Sequence, residues 1–205
     1  MSRWWDPRSL LAQPHLYRLF SNIVNPPERK RRFVDQELRI QEGDRILDIG
    51  CGPAVLLDYF PPVHYIGFDA EARYIEQAKA QYGERGKFHR ALVTEANLPD
   101  PGSYDLVLAI GVLHHLDDEE AVSLFQLAHQ ALKPGGRLVT VDGTFVEGQG
   151  AIARWIISRD RGEYVRSPEA YQALAARVFS DPSNIVREDL NRIPYTHCLL
   201  DCAKA

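Results

Sequence analysis

The chain has 205 residues, 45% of them hydrophobic and 25% charged, the proportions of an ordinary globular protein long enough for one well-buried domain. A net charge of −4 supplies no broad positive field, so nucleic acid is not the expected partner. Cys51, Cys198 and Cys202 make neither a CxxC pair nor an even disulfide framework, and no run approaches the roughly 18–20 apolar residues of a membrane span, so a reducing, cytoplasmic setting is expected.

From the amino end, Leu10, Leu11, Leu16, Leu19, Phe20, Ile23 and Val24 recur at helical spacing over 9–24, and Asn25-Pro26-Pro27 stops that helix. This N-terminus lacks the apolar core and small-residue cleavage site of a signal peptide. A second helix begins with the basic run Arg29, Lys30, Arg31 and Arg32 before Phe33, Val34 and Leu38 supply its apolar stripe. The run is either a solvated face or a surface for a phosphate-bearing or membrane-surface partner.

Beyond Gln41-Glu42-Gly43-Asp44 the pattern alternates. Strands are predicted at 45–49, 65–69, 87–92, 105–110 and 137–142, and helices at 55–60, 72–82 and 119–132. Such alternation with short turns implies an α/β fold: a doubly wound, mostly parallel sheet with helices on both faces. Ligands of these sheets bind at the carboxyl ends of the strands, where strand order reverses.

The stretch ILDIGCGPAVLLDYF, residues 46–60, is the first strand-to-helix corner. Glycine there permits a sharp turn and close approach of a ligand to the main chain, although a packing turn would look the same. Asp69 ends the next strand, nineteen residues after Gly50, where a carboxylate can accept hydrogen bonds from ribose hydroxyls; its other reading is a helix cap. The dinucleotide fingerprint G-x-G-x-x-G fails, because Val55 stands at its third glycine. An acidic residue followed by G-x-G-x-G fits better, through Asp48, Gly50 and Gly52, with Ala54 in the last place.

These segments resemble those of the class I S-adenosylmethionine-dependent methyltransferases. ILDIGCGPA is similar to that family's first motif, YIGFD to its second, SYDLVLAIGVLHHLDD to its fourth, and ALKPGGRLVTVDGT to the helix, turn and fifth strand that follow. The match runs over residues 40–145, and SNIVREDLNRIPYTHCLLDCAKA is similar to the antiparallel hairpin that completes the family's seven-stranded sheet. The resemblance implies one methyltransferase domain over 1–205: N-terminal helices at 1–40, a cofactor-binding core at 41–142, an acceptor-selecting cover at 143–180 and the C-terminal hairpin at 181–205.

It also implies residue roles toward S-adenosyl-L-methionine. Asp48 organises the glycine turn and helps hold the methionine amino group; Gly50, Cys51 and Gly52 pass beneath the methionine part. Asp69 takes the ribose hydroxyls and Ala70 lies beside the adenine. Thr94 and Glu95 stand where the family places an Asp near the adenine amino group. Ile110 and Gly111 lie close to the methionine portion and the sulfonium.

An activated methyl donor needs chiefly alignment with its acceptor, and a base only where the acceptor must lose a proton. His114 and His115 follow the fourth strand and either face the methyl group or cap and pack locally. Asp142, ending the fifth strand, either orients the acceptor or caps a turn. No His/Asp/Glu cluster has hard-cation spacing, and the run Asp117, Asp118, Glu119, Glu120 reads as a helix start, so no catalytic metal is expected.

Between the fifth strand and the hairpin, Arg154, Trp155, Arg159, Arg161, Tyr164 and Arg166 suggest, with Trp4, Trp5 and Tyr17, an aromatic and partly basic enclosure for a small acceptor, one whose arginines can meet an anionic group; fastening of two helices to the sheet is the other reading of these aromatics. The expected function is S-adenosylmethionine-dependent methyl transfer to a small molecule. The alternatives are a catalytically silent S-adenosylmethionine-binding protein and a nucleotide-dependent dehydrogenase. The sequence leaves the oligomeric state open.

Overall fold

In the computed structural model, which describes residues 24–159 and 162–205, five strands run parallel: β1 (Arg45–Ile49), β2 (His64–Asp69), β3 (Gly86–Arg90), β4 (Tyr104–Ile110) and β5 (Leu132–Gly143). Then β6 (Ser183–Arg187) and β7 (His197–Ala203) join antiparallel, in the order β3-β2-β1-β4-β5-β7-β6. Strand order reverses between the parallel neighbours β1 and β4, the place where such sheets open a crevice at the carboxyl ends of their strands. Trp4, Trp5, Tyr17, Arg161 and all but the last residue of the helix expected over 9–24 lie outside the described residues.

The central strands are apolar because both faces are covered. Ile46, Leu47, Val107, Leu108, Leu138 and Val139 have essentially no exposed surface. On one face, α3 (Asp118–Ala131) and α5 (Pro168–Ala175) bury Phe125, Ala128 and Tyr171 against the sheet. On the other, α1 (Pro27–Phe33), its wider-wound continuation Val34–Leu38, and α2 (Ala72–Tyr82) bury Phe33, Leu38, Ile75 and Tyr82. The remaining helix, α4 (Ala151–Ile157), lies in the segment after β5.

Several boundaries differ from the sequence reading. The helix expected at 55–60 is a short 3₁₀ turn, Val55–Tyr59, so it brings little dipole to the glycine corner. β3 stops at Arg90, where its pairing with β2 runs out at Asp69, and Leu92 is left 74% exposed. β5 begins at Leu132 rather than 137. The basic run of α1 is largely occupied within the protein: Arg29 donates to the carbonyls of Asp189 and Asn191, Lys30 is buried, and Arg31 lies over the Tyr59 ring.

Candidate active site

The glycine corner is shaped by two different requirements. Gly50 sits at φ +73°, and a Cβ there would stand 2.6 Å from Val112 Cγ2, so both conformation and packing demand glycine. The N–H groups of Gly50 and Cys51 donate to the Phe68 carbonyl at 2.8 and 3.0 Å, holding the corner against the end of β2. Gly52 sits at φ +53°, yet nothing lies within 4 Å of the place a Cβ would occupy. Open space therefore stands over Gly52, the cradle a closely approaching ligand needs. Ala54 also takes the left-handed conformation, φ 55°, so the family's glycine at this place reflects backbone geometry as well as bulk.

Two carboxylates belong to this corner of the sheet. Asp69 Oδ2 accepts the Gly52 N–H at 2.9 Å and Oδ1 the Glu71 N–H at 2.8 Å. It is not the cap of α2; Glu71 holds that position and accepts from the Arg73 N–H. Asp48 is 8% exposed and accepts the Tyr65 hydroxyl proton at 2.6 Å. Burial pushes its pKa up to about 7, with the Tyr65 hydrogen bond opposing the shift and the Asp69 charge adding to it. In its ionised form this carboxylate suits a ligand with a cationic group, and such a group in turn favours ionisation. Burial, with the charges of Asp48 and Asp69, drives the Cys51 thiol upward, which makes it an inert packing group whose sulfur fills the space left by Gly67.

The other implied donor contacts lie at or just beyond the carboxyl ends of β2, β3 and β4. Ala70 is exposed just beyond Asp69. Thr94 and Glu95 are exposed in the loop after β3, where Asn97 Oδ1 accepts the Thr94 N–H at 2.7 Å and shapes the turn. Gly111, at φ +72°, donates its N–H to the Val141 carbonyl at 2.8 Å. The open cradle at Gly52, the strand-end carboxylate of Asp69 that braces it and the buried carboxyl of Asp48 are chemically compatible with S-adenosylmethionine.

Ile110 and Gly111 also line a cavity of about 230 Å³ on the β5 side, together with His114, Asp142, Asn191 and His197. Within its wall, His114 Nδ1 lies 2.8 Å from Asp142 Oδ1, and the His114 N–H donates to the same oxygen at 3.2 Å. Both groups are buried, His114 to 7% exposure and Asp142 to 2%. A carboxylate accepts, so it selects the Nδ1–H tautomer and leaves Nε2 as the basic nitrogen. Asp142 Oδ2 is buried without a hydrogen-bond partner among the described residues. His115 is exposed and packs its ring 4.1 Å from that of His114, so the structure separates the two histidines.

Some of the sequence reading is reassigned. Arg166, taken as a site for an anionic acceptor, spends its guanidinium on Asp118 and on the carbonyls of Leu113, Leu116 and Tyr164. The acidic run is a helix start with a capping box, Asp117 and Glu120 exchanging hydrogen bonds of 2.9 and 3.0 Å. The sequence reading missed Tyr65, whose link to Asp48 depends on strand register. It also missed Asn191, Tyr195 and His197, which the β6–β7 connection brings to the cavity.

The reversal between β1 and β4, the glycine corner pinned by a strand-end carboxylate, and an antiparallel β7 between β5 and β6 define the Rossmann-like class I methyltransferase fold. A family model described as a methyltransferase domain matches residues 47–138. The chain is 36% identical over 147 residues to 27-O-demethylrifamycin SV methyltransferase of Amycolatopsis mediterranei, covering 68% of this chain and 49% of that one. It is 32% identical over 198 residues to a ubiquinone biosynthesis O-methyltransferase of Chelativorans sp., covering 84% and 74%. Thus the chain spans about half the length of the first relative and most of the second.

Solved structures share the fold. Human N-acetylserotonin methyltransferase in complex with S-adenosylmethionine has a TM-score of 0.68 at 16% identity, covering 94% of this chain and 55% of that one. A TehB-like methyltransferase from Corynebacterium glutamicum has a TM-score of 0.62 at 18% identity, covering 98% and 100%. The chain belongs to the class I S-adenosylmethionine-dependent methyltransferases, whose methyl donor is S-adenosylmethionine.

Proposed function

We propose that this protein transfers a methyl group from S-adenosylmethionine to a hydroxyl oxygen of a small molecule, with His114 as general base and Asp142 as its orienting partner. The observation that carries the reading is the 2.8 Å His114–Asp142 contact in the wall of a cavity that shares Ile110 and Gly111 with the donor crevice. The donor supplies an electrophilic methyl group, so the chain's own task is to align the acceptor and remove its proton. Asp142 fixes the tautomer and stabilises the imidazolium that forms when Nε2 takes that proton. Oxygen as the acceptor atom follows the O-methyltransferases among the relatives, and a cavity of about 230 Å³ favours a small molecule over a polymer.

Donor contacts fall to Asp48, Gly50, Cys51, Gly52, Asp69, Ala70, Thr94, Glu95, Ile110 and Gly111. Segment 143–180 acts as the acceptor-selecting cover, with Gly143 in the cavity wall and Gly162 packed on His114, and the 188–197 connection completes the enclosure. An anionic substituent on the acceptor meets Arg192, which lines a second cavity sharing Asn191 and Tyr195 with the first. A cytoplasmic location accompanies this reading and is supported by three unpaired cysteine thiols.

The test is transfer of label from methyl-tritiated S-adenosylmethionine to a panel of small hydroxylated acceptors. His114→Gln is expected to lower turnover by roughly 10²–10⁴-fold while leaving S-adenosylhomocysteine affinity within about threefold. Undiminished turnover in that variant overturns the role of His114.

A further inference from the structure

We infer that Arg166 is a positioning residue: it joins the strand end that carries Asp142 to the turn that carries His114, and so holds the imidazole in register with its carboxylate. The inference rests on the reading of His114 as the base.

Residues 162–166 form a strap that meets the His114 turn at the carbonyls of Leu113, His114 and Leu116. Arg166 Nη1 donates to the Leu113 carbonyl at 3.1 Å, the Tyr164 N–H to the His114 carbonyl at 3.0 Å, and Arg166 Nη2 to the Leu116 carbonyl at 2.8 Å. The guanidinium also reaches Asp118 Oδ1 through Nε at 2.9 Å and Nη2 at 2.7 Å, and the Tyr164 carbonyl through Nη1 at 3.0 Å. All five N–H donors of the fork are thereby used. The rings of Tyr164 and Tyr171 each lie 5.7 Å from its central carbon, and its side chain is 9% exposed.

At its other end the strap is fixed to β5. The Arg166 carbonyl accepts from Thr144 Oγ1 at 2.8 Å, and Thr144, two residues beyond Asp142, is fully buried. Gly162 packs directly against the ring: a Cβ there would stand 2.2 Å from His114 Cδ2 and 2.6 Å from its carbonyl oxygen. Asp142 and His114 leave different strands, and this strap ties both to one short piece of chain. A lysine cannot replace the fork, because a single ammonium has three donors radiating from one point.

The experiment reads the ring directly. In protein saturated with S-adenosylhomocysteine, imidazole ¹⁵N resonances of His114, assigned by their loss in His114→Gln, are expected to show the Nδ1–H tautomer with a slowly exchanging proton. Arg166→Lys and Gly162→Ala are each expected to mix the tautomers and speed exchange of that proton more than about tenfold, with S-adenosylhomocysteine affinity within about threefold of the parent. Asp118→Ala removes only the exposed partner and is expected to give an intermediate acceleration; it keeps the test decisive where a strap variant does not fold. An unchanged tautomer and exchange rate in the folded variants overturns the proposal, and so does full retention in Arg166→Lys with loss in Arg166→Met, which would assign the effect to charge alone. If His114→Gln retains turnover, the base assignment fails, while the ring measurements still decide whether Arg166 holds it.

Discussion

Asp69 and Gly52, seventeen residues apart, meet through a 2.9 Å hydrogen bond that ties the glycine corner to the end of β2. The carboxylate implied for the ribose is therefore also a brace for the main chain of the glycine corner. Asp69→Ala is expected to weaken S-adenosylhomocysteine binding by roughly 1–3 kcal/mol and to lower stability by about 1 kcal/mol, since the Gly52 and Glu71 N–H groups lose their partner. Calorimetry and denaturant unfolding separate the two effects. Unchanged affinity in a folded variant would reduce Asp69 to the brace.

The two glycines of the corner should fail differently. Gly50→Ala meets Val112 at 2.6 Å and should destabilise the fold by more than about 2 kcal/mol. Gly52→Ala meets nothing in the protein, so its cost should be limited to about 1–2 kcal/mol of backbone strain while its methyl group intrudes on the cradle and weakens donor binding more than about tenfold. Melting curves and donor titrations of both variants check this contrast. Full donor affinity in Gly52→Ala contradicts the placement of the ligand over that residue.

Asp48 gives the protein a signed dependence on pH. Its pKa rises on folding from 3.8 to about 7, so the folded state binds the proton more tightly and stability contributed by this group falls as pH rises from about 4 through about 7. The full excursion is on the order of 4 kcal/mol. Asp48→Asn should consequently gain stability relative to the parent at pH 8 and show little gain at pH 4, yet bind donor more weakly. Donor affinity of the parent should increase as pH rises through about 7, as a cationic ligand group favours the carboxylate. Equal effects of Asp48→Asn at both pH values contradict this assignment.

The alternation of elements was legible because strands buried on both faces read as apolar runs, as Leu106–Ile110 does and as Ile46–Ile49 does apart from Asp48. The glycine corner and Asp69 were legible because their function depends on local backbone geometry and a short spacing. His114 and Asp142 were legible as strand-end residues, but their pairing across 28 residues was not. Which of two adjacent histidines turns inward depends on the room left by Gly162 and on the position of β5. Arg166 misled for the same reason: its charge is visible in the sequence, while the carbonyls that consume its donors come from a turn some fifty residues earlier. Tyr65 reaches Asp48 only through the parallel register of β1 and β2.

The most direct measurement compares the melting temperature of the folded protein with 1 mM S-adenosylhomocysteine, NAD or NADP. Micromolar binding to the native state at a hundredfold excess over Kd adds about 2.7 kcal/mol, which for a chain of this size raises the melting temperature by roughly 5–10 °C. The account predicts that rise with S-adenosylhomocysteine and none with either dinucleotide. No response to S-adenosylhomocysteine, or a larger response to NAD or NADP, would contradict it.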